Sequence, residues 1–326
     1  MHTYPDDLDV VLNMCAYKRR CQKRKVGGKF GVVNEIQVKS ILNKHRKRDN
    51  WFLDDYSVNS YYGCSFNCIY CYTRGSRYGE NMPGKLSAKV NAPEVLEKQL
   101  WRRAKKGEYG IIAISTSTEP YQRVEERLTL TRKILEVILE YRFPVHILTK
   151  SRLVLRDLDL LKEIDKNAIL PDDLKDELGR GVIINFSIST LDEKLAKIIE
   201  PGAPEPLERL EAMKRCREEG FLAGVSYIPA LPFLSDSEED LERMLETARE
   251  YDAAFVFVES LTLFGNRPYD CRTVYYNFWR SIALNLSPGT EIYSGSPFNC
   301  RRSIERKLQE KVKELCEKYG VKNGLI

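Results

Sequence analysis

Between residues 111 and 258 the chain alternates short apolar runs with stretches in which apolar residues recur at helical spacing. Ile111 to Thr116, Val145 to Thr149, Val182 to Ile188, Phe221 to Ile228 and Phe255 to Val258 read as strands. Leu130, Ile134, Val137, Ile138 and Tyr141 form one helical stripe, and Leu155, Leu158, Leu161 and Ile164 another. Residues 205 to 219 and the stripe Leu241, Met244, Leu245, Ala248 and Tyr251 give two more. With Asp55 to Tyr62 as a leading strand, the pattern predicts six β/α repeats. Such alternation implies a parallel sheet with helical crossovers, so the expected fold is α/β: a partial, open six-strand β/α barrel. Thr190 with Glu193, and Ser235 with Glu238, have the spacing of helix-opening capping boxes. An insertion carrying Pro171 interrupts the pattern from Ala168 to Arg180.

These signals divide the 326 residues into a basic extension over 1–54, the barrel over 55–260 and a cap over 261–326 that ends in a helix. The cap helix carries Ile304, Leu308, Val312, Leu315 and Tyr319 on one stripe. The stretch before it is rich in aromatics (Phe264, Tyr269, Tyr275, Tyr276, Phe278, Trp279, Tyr293), which either form core or close the barrel mouth over a substrate.

A parallel barrel keeps its chemistry at the C-terminal strand ends. Polar residues gather at those positions: Ser115 to Pro120, Thr149-Lys150, Ser187 and Ser189, Ser226 to Pro229, and Glu259-Ser260. Just after the leading strand lie Cys64, Cys68 and Cys71 in a C-x-x-x-C-x-x-C spacing. Three thiolates from one loop ligate three irons of a cubic 4Fe-4S cluster and leave the fourth open to an exchangeable ligand. Zinc is the competing reading, although zinc sites usually draw their ligands as two separated pairs.

This cluster loop, with Tyr70 before its last cysteine, resembles that of the radical S-adenosylmethionine (SAM) superfamily. From about Lys39 to Leu234 the chain is similar to the spore photoproduct lyase-like branch. The likeness rests on Ile41-Leu42-Asn43-Lys44, Tyr61-Tyr62-Gly63-Cys64, Thr118-Glu119-Pro120-Tyr121-Gln122, Ile147-Leu148-Thr149-Lys150-Ser151, Glu200-Pro201 and Arg209-Leu210-Glu211. The resemblance implies a 4Fe-4S cluster on Cys64, Cys68 and Cys71, and SAM bound to the open iron. It further implies a SAM site lined by Tyr70, Thr118, Lys150 and Ser187, and a flavodoxin or ferredoxin as electron donor. In the lyases that repair the thymine photodimer, a cysteine returns hydrogen to the product radical. The corresponding position here is Thr116, whose hydroxyl holds hydrogen too tightly for that task. The resemblance then implies a different substrate, or recruitment of another cysteine such as Cys271 or Cys300.

Nine cysteines are an odd number, and neither a signal-like leader nor an 18-residue apolar stretch is present, which predicts a cytoplasmic protein with reduced thiols and no membrane partner. Cys15, Cys21, Cys271 and Cys300 lack tight ligand spacing, so buried thiols compete with an auxiliary cluster there; Cys216 and Cys316 fall on core faces. His2, His45 and His146 are too scattered for a metal site, and Gly27-Gly28-Lys29 reads as a turn. From Lys18 to Arg48, twelve lysines and arginines face the single acid Glu35, so the rest of a chain of net charge +5 is acidic. Such an arm suits a polyanion, DNA or RNA, or else serves solubility. Three functions compete: a radical SAM enzyme acting on nucleic acid, one acting on a peptide or small metabolite, and a non-catalytic zinc-bearing nucleic-acid-binding protein.

Overall fold

A computed structural model describes residues 33–76, 79, 82, 86–232, 234–283 and 297–326, with side chains over 280–306 left out. Six parallel strands form the body: β3 (Asp54–Val58), β6 (Ile111–Ile114), β7 (Val145–Thr149), β8 (Val182–Ile188), β9 (Leu222–Ala230) and β10 (Val256–Ser260). They pair in the order β10-β9-β8-β7-β6-β3, and β2 (Asn43–Lys44) adds an antiparallel edge against β3. A second sheet joins β1 (Asn34–Ile36), β5 (Ser87–Lys89) and β4 (Tyr61–Tyr62) in the order β1-β5-β4. Helices return the chain between parallel strands: α1 (Ala92–Ala104), α2 (Glu125–Leu128), α3 (Leu130–Glu140), α4 (Leu158–Asn167), α5 (Lys175–Leu178), α6 (Glu193–Ile199), α7 (Pro206–Glu218) and α8 (Glu238–Glu250). Beyond β10 come α9 (Cys271–Ala283) and α10 (Pro297–Tyr319).

Each strand divides its side chains between two faces, as a period of two requires. On β8, Ile184, Phe186 and Ile188 join the main core beneath the helices, whereas Asn185 and Ser187 face a cavity on the other side. The helices answer with apolar stripes, Leu130, Ile134, Leu135 and Ile138 on α3 and Leu241, Met244, Leu245 and Ala248 on α8. All six parallel strands, or the residue next after them, contribute to that one cavity of about 870 Å³. A flat sheet cannot do this; a sheet curled into a partial barrel can.

Several expectations change in detail. The leading strand over 55–62 is two strands in different sheets, because Asn59 and Ser60 turn the chain between them. Lys89 Nζ donates to the Asn59 carbonyl at 2.7 Å and Ser117 N to its side chain at 2.9 Å, while the Ser60 hydroxyl meets that of Thr131 at 3.1 Å. The caps also move. Asp192, whose carboxylate accepts from Leu195 N at 3.0 Å, opens α6, and Thr190 instead holds Asp192 N at 3.1 Å. Ser237 caps α8 by accepting from Asp240 N at 3.0 Å. Ser235 is buried and bonds Leu231 N and the Ser189 carbonyl instead.

The N-terminal end of the barrel is plugged. Trp51 stacks on Phe257 with centroids 5.5 Å apart, Phe52 lies 5.1 Å from the same ring, and Leu53, Leu174, Leu178 and Leu325 complete an apolar floor. Lys44 at the end of β2 and the loop from His45 to Arg48 lead back to the start of β3 and so belong to this floor end, where Arg48 pairs with Asp55 and with Asp173 of the 168–180 insertion. The basic residues Lys18 to Lys29, Cys15, Cys21, His2 and Gly27-Gly28-Lys29 lie outside the described residues, as do Tyr293 and the Cys300 and Ile304 side chains.

Candidate active site

The cysteine loop sits at the opposite, C-terminal end of the strands, clamped from three sides. Gln122, fully buried, accepts from Ser65 N at 2.7 Å. Ile69 N donates to the Ile199 carbonyl at 2.9 Å and Gly202 N to that of Phe66 at 3.0 Å. Arg74 Nε caps the Cys68 carbonyl at 2.8 Å. A Cβ on Gly202 would lie 2.4 Å from the Ser65 carbonyl oxygen, so the two backbones approach as closely as only glycine allows. Above the loop, Leu261, Tyr275, Phe278 and Trp279 pack against Phe66, Ile69 and Tyr70 as a satellite core. Those three cap aromatics therefore close over the loop as packing and do not line the cavity; Phe264 and Tyr269 are exposed.

Cys64, Cys68 and Cys71 all line the cavity. Burial, then the neighbouring thiols and Glu119, holds the Cys64 thiol far above its usual range. Burial, then Glu200, pushes Cys68 up to about 12. Three cysteines on one loop, Cys68 buried and Cys64 and Cys71 half-buried, fit a group that brings positive charge and stabilises them as thiolates, as iron does. Among the described residues no three His, Cys, Asp or Glu side chains gather closely enough for one metal ion. Cubane ligands have no need of a common point, since each thiolate takes its own iron.

Beside the loop lies a charged network. Lys150, just beyond β7, donates to Ser187 Oγ at 2.5 Å and reaches Glu200 Oε1 at 3.1 Å. Glu200 is buried and also takes the Arg209 guanidinium and the Tyr70 hydroxyl, which in turn accepts from Ser189 Oγ at 2.8 Å. Burial alone would raise the Glu200 carboxyl, but Lys150 and Arg209 outweigh it and hold it at about 2. Glu119 fixes the end of β7 by accepting from Thr149 Oγ1 at 2.5 Å and from Lys150 N at 2.8 Å. Thr118 lines the same cavity, its hydroxyl 3.5 Å from Asn59 Oδ1.

The barrel thus gathers all seven residues singled out in the sequence around one cavity: the three cysteines with Tyr70, Thr118, Lys150 and Ser187. Cys271 stays out of it, its thiol bonded to the Phe264 backbone. Cys216 and Cys316 lie in the main core. His146 is structural: burial lowers it to about 4, so it is neutral, and Nδ1 lies 3.0 Å from the Phe52 carbonyl. Sequence reasoning passed over Asn185, although a lone amide in the apolar run Val182–Ile188, two residues before Ser187, carried the signal.

The sequence model of the radical SAM superfamily matches residues 58–248. The chain belongs to the radical SAM superfamily. This radical SAM enzyme is 31% identical over 300 residues to the uncharacterised protein Rv2578c of Mycobacterium tuberculosis, covering 88% of this chain and 81% of that one. It is 32% identical over 183 residues to the uncharacterised protein MJ0683 of Methanocaldococcus jannaschii, with 56% and 63% covered. Its fold is shared with spore photoproduct lyase. One mutant of that lyase superposes with a TM-score of 0.60 at 14% identity over 89% of this chain and 80% of the other. Another, solved with bound AdoMet and dinucleoside spore photoproduct, gives 0.59 at 14% identity over 88% and 79%. Family membership sets aside the non-catalytic zinc protein.

Proposed function

We propose that this radical SAM enzyme holds a 4Fe-4S cluster on Cys64, Cys68 and Cys71, binds SAM beside it, and acts on a nucleic acid. When bound, the cluster supplies the electron that splits the SAM sulfonium into methionine and a hydrogen-abstracting 5′-deoxyadenosyl radical. The observation that carries this reading is the convergence of the cysteine loop and the Lys150 network on one cavity of a radical SAM fold.

Lys150 offers an ammonium whose second partner, Ser187, is a neutral hydroxyl that a ligand carboxylate can displace. Glu200 keeps that ammonium oriented, and Arg209 neutralises the second oxygen of Glu200. Tyr70 turns its hydroxyl to Glu200 and its ring toward Lys150, with Nζ 5.8 Å from the centroid. Thr118 and Ser187 present hydroxyls suited to a ribose. The cap formed by Leu261, Tyr275, Phe278 and Trp279 shields the loop from water. The electron donor in this reading is a flavodoxin or ferredoxin.

Anaerobic reconstitution is expected to give an iron-sulfur spectrum that changes on adding SAM, and 5′-deoxyadenosine on reduction. Full iron and sulfide loading without SAM cleavage would end the proposal. The nucleic-acid part draws support from a fold neighbour solved with a dinucleoside lesion and from the basic extension. Duplex DNA or tRNA is expected to bind with steep salt dependence. A second reading, a peptide or small metabolite, is favoured by the cavity volume of about 870 Å³, which lies in the range of small-molecule sites; it gains if peptides or small molecules and not nucleic acids quench the abortive cleavage.

A further inference from the structure

At the level where Lys150 grips Ser187 and on its floor side, the cavity carries a chamber of unpaired polar groups. Ser115, Asn185 and Ser226 line it from three strands of the barrel wall and are 4%, 1% and 4% exposed. Their side-chain oxygens and the Asn185 amide nitrogen are buried with no hydrogen-bond partner among the described residues. Buried polar groups in native proteins are almost always satisfied, and a cluster of exceptions facing one cavity marks a place where something else completes them. Asn185 lies opposite Leu148 of β7, and Ser226 opposite Ser187. Asn185 is therefore two residues, about 7 Å along the strand, to the floor side of the serine that Lys150 grips.

The chemistry of this lining selects its occupant. An amide with both its carbonyl and its NH₂ free complements a planar group that carries a donor and an acceptor side by side. The hydroxyls of Ser115 and Ser226 each add a donor and an acceptor, while Leu148 and Phe52 give apolar walls for a flat ring. Of the charged side chains along the cavity, Lys150 pairs with Glu200 and is taken up in this reading by the carboxylate of SAM, and Asp54 lies 3.0 Å from His45. Ser115, Asn185 and Ser226 are themselves neutral donors and acceptors, so this lining suits an uncharged ligand. In the proposed function SAM lies beside the cysteines and Lys150, which leaves the chamber for the substrate.

We propose that this chamber is the substrate pocket, and that Asn185, flanked by Ser115 and Ser226, receives the lactam or amidine edge of an uncharged nucleobase. The inference rests on the nucleic-acid reading above and adds the part of the substrate that enters the barrel.

The test uses reconstituted full-length holoenzyme under anaerobic conditions, with thymidine, deoxyadenosine and 3-methylthymidine as probes. The last lacks the lactam N–H. Calorimetry is expected to show binding of thymidine or deoxyadenosine and to reject 3-methylthymidine. Asn185→Leu is expected to weaken nucleoside binding by about tenfold or more, and Ser226→Ala by a smaller factor. Melting curves verify that both variants fold. If nucleosides fail to bind the wild type, if Asn185→Leu binds them unchanged, or if 3-methylthymidine binds as well as thymidine, the proposal is overturned. Loss of the SAM-induced change in the cluster spectrum in Asn185→Leu would also overturn it, by assigning the chamber to the adenine of SAM. Nucleoside binding that depends on Asn185 in a protein whose spectrum ignores SAM would uphold the chamber while removing the radical SAM mechanism.

Discussion

Glu200 is the residue on which the charged side of the site turns. It is one buried carboxylate between two cations, and the attraction of Lys150 and Arg209 overcomes the burial penalty that would otherwise neutralise it. Removing its charge leaves two cations with no buried counter-ion. Glu200→Gln is expected to lose about 3–5 kcal/mol in urea unfolding at pH 7. The sign of the pH effect follows from a folded value of about 2, below the 4.5 of an ordinary Glu. The contribution of Glu200 is complete above about pH 4.5 and fades as pH falls toward 2. The gap between wild type and Glu200→Gln is expected to narrow over that window; a constant gap would show that the ion pairs do not control the ionisation. Asn185 makes the opposite case. Its unpaired amide destabilises the barrel, so Asn185→Leu, close in volume, is expected to raise stability by about 1–3 kcal/mol as it loses nucleoside binding.

At the scale of elements, the cysteine loop is positioned by what touches its backbone. Gln122 holds Ser65, the turn after α6 holds Phe66 and Ile69, and Arg74 closes the loop on itself. Gly202→Ala drives a methyl against the Ser65 carbonyl and must displace the stretch between Cys64 and Cys68. Iron and sulfide content after reconstitution is expected to fall by more than half, with the body of the barrel melting within a few degrees of wild type, since core strands and loop differ in local stability. Retention of full iron in that variant would show that the loop tolerates the shift. The interruption at Asn59 and Ser60 belongs to this scale too: a run that reads as one strand is divided because its polar residues bond to Lys89, Ser117 and Thr131.

At the scale of the molecule, the barrel has two unlike ends. The cysteines and Lys150 occupy one, and the aromatic plug with the loop from Lys44 to Arg48 occupies the other. Lys44, Arg46 and Lys47 are exposed, whereas Arg48 is committed to Asp55 and Asp173. A polyanion held by the first three approaches the floor end. Replacing Lys44, Arg46 and Lys47 with glutamine is expected to lower the slope of log affinity against log salt for duplex DNA by about 2–3. An unchanged slope would place the nucleic-acid contacts elsewhere.

The alternation of apolar runs, the helical stripes and the cysteine spacing were enough to determine a parallel α/β sheet, its six strands and three thiols on one loop. Those signals are local, and periodicity reports which face of an element is buried whatever lies across from it. Tertiary structure alone decided that Tyr70 meets Glu200 across 130 residues of chain, that Asn185 has no hydrogen-bond partner among the described residues, and that the basic loop lies at the floor. A side chain's charge state and unmet hydrogen bonds are set by neighbours far away in sequence, which curvature of the sheet brings together and no local pattern encodes.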